Sequence, residues 1–77
     1  MDNDVLRFLQ QQITWVREQD LILAKIEGKL WAMRALAQYR LDTELMALEV
    51  ERLNEQLGQL EREVAELELQ LDAGTVH

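Results

Sequence analysis

Apolar residues in the second half of the chain form one ladder, Met46, Val50, Leu53, Leu57, Leu60, Val64, Leu67 and Leu71, stepping alternately by four and three residues. That spacing predicts a helix whose narrow stripe is buried against a similar stripe on another helix, the seam of a coiled coil. The columns beside the ladder are largely Glu and Gln, so this helix has one face to bury. The first half is broader. Leu9, Val16, Leu23, Leu30 and Ala37 form one heptad column, and Phe8, Trp15, Ile22 and Leu36 form its neighbour, interrupted by Lys29. Leu6 and Ile13, then Ile26 and Met33, add a third side. A face wider than a two-stranded seam requires leaves helix 1 with surface for a second neighbour.

The two ladders do not share a frame. Continuing the column through Leu30 and Ala37 puts Glu44 in the seam, whereas the later ladder needs Thr43 and Met46 there. A reset near residue 42 predicts two antiparallel helices, about 4–40 and 43–72, in a single helical domain spanning 1–77 with a frayed tail over 73–77. The reading gives Asp2 or Asn3 as the first cap and Asp42 as the cap of helix 2, with Leu41 and Met46 stapling its entry. Gly74 is expected to close the C-terminus in a left-handed conformation. Gly28 and Gly58 fall at outward helical positions. Gln38 to Thr43 contain neither Gly nor Pro, so one long continuous coiled-coil helix is the alternative.

Composition supports helices: proline and cysteine are absent, and glycine occurs three times in 77 residues. A chain this short encloses little core alone and, lacking disulfides or thiolate metal sites, is expected to gain it by association. Net charge is −7, and it is unevenly shared. Residues 1–40 carry six Lys/Arg against five Asp/Glu, whereas 41–77 carry two against ten. This balance disfavours nucleic acid and anionic lipid as partners, since both are bound through basic patches. It also favours folding the near-neutral helix back on the acidic one, with Arg34 near Glu49 or Glu51, Lys29 near Glu55 and Arg17 near Glu66. The longest apolar run, Leu21 to Ala24, is far short of a membrane span, and the acidic start lacks the basic flank of a signal peptide. The expectation is a soluble, cytoplasmic protein.

Residues suited to catalysis or cofactor binding are few. His77 is the single histidine and stands last in the sequence. Zinc, haem and nucleophile–base arrangements lack their usual side chains, and the Glu-x-x-His pairs of a di-iron bundle do not occur. No enzyme activity, metal or cofactor is therefore expected. The expected function is protein–protein interaction by a small self-associating adaptor, chaperone or regulator, with a helical client as a possible further partner. An acidic inhibitor imitating nucleic acid in a basic cleft is the alternative. Leu9, Val16, Leu23, Leu30 and the ladder Met46 to Leu71 are expected within the hairpin. Phe8, Trp15, Ile22 and Leu36 are expected between copies, as a dimer completing a four-helix bundle. Trp31 and Tyr39, off the main face, are the candidates for binding another protein.

Overall fold

The structure, a computed structural model, describes residues 2–74. It is an all-α hairpin: α1 spans Asp2–Asp42, α2 spans Ala47–Gly74, and the two pack along their length. The molecule measures 68 × 18 × 11 Å, against roughly 100 Å for a single rod of nearly 70 helical residues at about 1.5 Å each. The charge pattern favours this pairing, because the six cations of α1 balance its six acids, while α2 carries eight acids against two arginines.

Helix ends depart from expectation in instructive ways. Asp2 and Asp4 lie in the first turn of α1, where negative charge favours the exposed amides, and Arg40 lies in its last turn. Asp2 and Asn3 are thus already helical, and the cap position falls outside the described residues. Asp42 does not cap α2. It ends α1, where its carboxylate accepts hydrogen bonds from Gln38 Nε2 at 3.0 Å to each oxygen. The backbone N–H of Val50 donates to the Met46 carbonyl at 3.0 Å, which makes Met46 the N-cap and leaves residues 43–46 as the connector. The staple positions consequently move to Leu45 and Val50, both half-buried, while Leu41 and Met46 are exposed. Helix α2 continues through Gly74, so residues 73 and 74 are helical rather than frayed. Among the described residues no glycine has a positive φ, and the rest of the expected tail, with His77, lies outside them.

The later turn shifts the register. Lys29 meets Glu63 instead of Glu55, a slip of about two helical turns. Arg40 Nη1 donates to Asn54 Oδ1 at 3.4 Å nearer the connector. The same shift moves Arg17 out of level with Glu66, and Arg34 out of level with Glu49 and Glu51. The two arms are also unequal, with 41 residues in α1 and 28 in α2. In this register Gly74 lies level with about Glu18, so the first four turns of α1 run on beyond the end of α2.

Candidate interaction surface

The seam between the helices consists of Ile26, Val64 and Leu67, with Ile22, Met33 and Leu71 packed around them. Leu53 is buried nearer the connector. Val50, Leu57 and Leu60 are half-buried, so the ladder of α2 serves as predicted from Val50 onward. Met46 does not take part; it stands in the connector, 76% exposed. Two helices alone leave a seam open on both sides, and none of the described side chains is completely buried.

Beside the seam, Lys29 Nζ donates to Glu63 Oε2 at 2.7 Å, and Gln59 Nε2 donates to Glu63 Oε1 at 3.2 Å. Arg62 Nη2 holds Gln59 through its Oε1 at 2.8 Å. The hydrogen bond from Lys29, followed by that from Gln59, holds the Glu63 carboxyl below its usual range. This cluster links α1 to α2 along one flank of the seam. It has no reactive group of its own.

The face that α1 presents to α2 differs from the one expected. Gln19, Ile22, Ile26, Lys29, Met33 and Leu36 form the half-buried or buried stripe, alternating three and four. Leu9, Val16, Leu23 and Leu30, expected inside the hairpin, are 46–49% exposed. The reason lies in the columns beside them. Over residues 20–34 the column three residues before Leu23, Leu30 and Ala37 holds Asp20, Glu27 and Arg34, which resist burial. The chosen stripe instead carries one charge, Lys29, and that charge is answered by Glu63.

The residues singled out from the sequence therefore separate. Ile22 packs on the intramolecular core, and Leu36 lines a shallow apolar groove between the helices with Ala32, Ala35 and Leu60. Trp15 is half-buried at the end of the paired region. Phe8 lies on the overhanging turns, 57% exposed. Trp31 is 67% exposed with the Arg34 guanidinium 5.8 Å from its ring centroid, and Tyr39 is 50% exposed one turn from the connector. The four residues expected between copies thus do not form one outward patch.

Another stripe does. Leu6, Leu9, Ile13 and Val16 follow one another at three- and four-residue steps along a single side of α1, all 46–54% exposed. Asp2 and Asp20 occupy the next positions of the same stripe at either end. Reading heptad columns singly separated Leu9 and Val16 from Leu6 and Ile13; reading each residue with its neighbours at three and four would have joined them.

Among the described residues, no group of three or more His, Asp or Glu side chains is placed to hold a metal ion, and no helix is long and apolar enough to cross a membrane. Comparison with family models, curated proteins and solved structures finds no match.

Proposed function

We propose that this chain is a non-enzymatic protein–protein interaction module that works by self-association through α1. One observation carries the reading: α1 buries one apolar stripe against α2 and keeps a second, Leu6, Leu9, Ile13 and Val16, about half exposed. A contiguous apolar stripe on a solvent-facing helix is the usual mark of a helix–helix interface. Such an interface would supply burial that the two-helix seam lacks.

Sedimentation equilibrium, combined with thermal melts over a wide concentration range, tests the reading. Self-association predicts a mass above 9.0 kDa and a melting temperature that rises with concentration, because the associated state is favoured by mass action. A monomer mass throughout, with a melting temperature independent of concentration, would overturn it.

A further inference from the structure

The two stripes that meet in the seam share one column of the sequence. Every seventh residue from Ile22 through Lys29, Leu36, Thr43 and Val50 to Leu71 belongs to it, and all of them are buried or half-buried. The column beside it shifts only once, from Ile26, Met33 and Arg40 to Met46, Leu53 and Leu60. Followed through the connector, the seam positions step alternately by three and four except at Arg40, Thr43 and Met46, where two steps of three follow each other. Coiled coils absorb such a discontinuity by local overwinding.

Nothing in the connector enforces the reversal. Residues 43–46, Thr-Glu-Leu-Met, contain no Gly, Pro, Asn or Asp, and among the described residues none has a positive φ. Glu, Leu and Met are good helix formers. A continuous helix would also let the last carbonyls of α1 and the first amides of α2 bond to each other, groups that two separate helix ends leave without helical partners.

From these features we infer that the hairpin opens at residues 43–46 into one continuous helix and exchanges α2 with a second copy of this chain. In the resulting antiparallel pair, α1 of each copy packs on α2 of the other through the contacts already made within one chain, Ile26 with Val64 and Leu67, and Lys29 with Glu63. A second copy is the occupant because opening uncovers the seam of α1, whose complement is the α2 of this sequence, and because the opened helix carries both stripes on one face. The inference goes beyond the proposal above: the exchanged surface is the seam, and the stripe from Leu6 to Val16 stays uncovered.

New contacts form only at the centre. The Lys29–Glu63 pair places the two-fold axis near Met46. Met46, 76% exposed in the connector, thereby regains the seam position that its spacing gives it, opposite Met46 of the other copy. Asp42 approaches Glu49 of the other copy, but at exposed positions, where salt screens the repulsion. A parallel pair of opened helices would instead set Lys29 against Lys29 inside the seam, where desolvation opposes it. The exchanged dimer has two seams, as two closed hairpins do, so the hairpin prevails on dilution and the dimer at high concentration. Its length is about 130 Å at 1.5 Å per residue, against 68 Å for the hairpin.

Absence of cysteine permits two nitroxide labels on one chain, at Lys25→Cys and Glu66→Cys, both exposed and level with each other across the seam. Labelled chain is refolded with a large excess of unlabelled chain, so that pulsed dipolar spectroscopy reads the distance within one chain. The measurement is made where sedimentation gives twice 9.0 kDa. Exchange predicts about 60 Å, from 1.5 Å per residue along one helix. A closed hairpin gives within about 25 Å, from axes about 10 Å apart and the label arms. Glu44→Gly should raise the dimer dissociation constant about tenfold, the combined helix penalty of one glycine in each chain, whereas Leu9→Asp should leave it unchanged. The short distance in a dimer would overturn the exchange and leave self-association through the outer stripe of α1 standing. A chain that stays monomeric at every concentration would overturn both. An unchanged constant in Glu44→Gly would count against opening at the connector.

Discussion

The two helices of this hairpin use their apolar residues differently. Helix α2 has one narrow stripe, and from Val50 to Leu71 every position of it is buried or half-buried against α1. Helix α1 has two stripes, is 13 residues longer (41 against 28), and buries only one of them. The shorter, acidic helix is thus committed to completing the fold, while the longer, neutral one both folds and presents a surface. The difference teaches that heptad content alone does not distinguish a stripe buried in the fold from one left exposed. What separates them here is whether each stripe has a helix opposite it.

Substitutions can break that comparison in graded steps. The largest effect is expected from Val64→Asp, which places an unpaired carboxylate in the seam beside Ile26. It should cost more than about 3 kcal/mol and abolish cooperative melting by circular dichroism. The matching change on the outer side of the same helix, Leu69→Asp at 67% exposure, should alter stability by less than about 0.5 kcal/mol. Comparable losses in the two variants would mean that α2 has a second buried face. Leu53→Ala, at 5% exposure, should cost about 2 kcal/mol in denaturant titration, at the low end for a buried leucine because the seam is partly open to water.

A smaller gain is expected where nothing packs. A Cβ built on Gly28 meets no atom within 4 Å, and one on Gly58 meets only the Arg62 Nη1 atom at 3.5 Å. Gly28→Ala and Gly58→Ala should therefore each stabilise by up to about 1 kcal/mol through helix propensity. A loss in either would reveal a neighbour against that face in solution. Glu63→Gln should have the smallest effect, and one that depends on pH. The Lys29 hydrogen bond lowers the Glu63 pKa from 4.5, so the stabilisation is present above that value and is lost as pH falls through the lowered one. The difference in melting temperature between parent and Glu63→Gln should accordingly shrink below about pH 4.5. A constant difference down to pH 2 would argue against the ion pair.

Much of the fold is legible in the sequence. The α2 ladder is a single column pair with polar flanks, and its assignment survives because no competing face exists on that helix. The break in heptad frame near residue 42 correctly signals a reversal. Its details escaped because Asp42 can cap a new helix or bond back to Gln38, and both are local choices of similar energy. On α1 the difficulty is abundance. Ile26 and Met33 have apolar neighbours on either side, Leu23 and Leu30 or Ile22 and Leu36, so periodicity admits both seams.

By itself, then, the sequence determined the helices, their antiparallel reversal and the stripe of α2, because these follow from spacing and charge along one element. Tertiary structure decided the register and the face of α1 that α2 covers. Those depend on interactions between residues far apart in the chain: the four-residue connector sets the slip, and the Lys29–Glu63 contact across the seam supports one flank of the Ile26 column over the other. A third outcome follows from the same register, since only the level at which α2 ends shows which apolar turns of α1 are left without it.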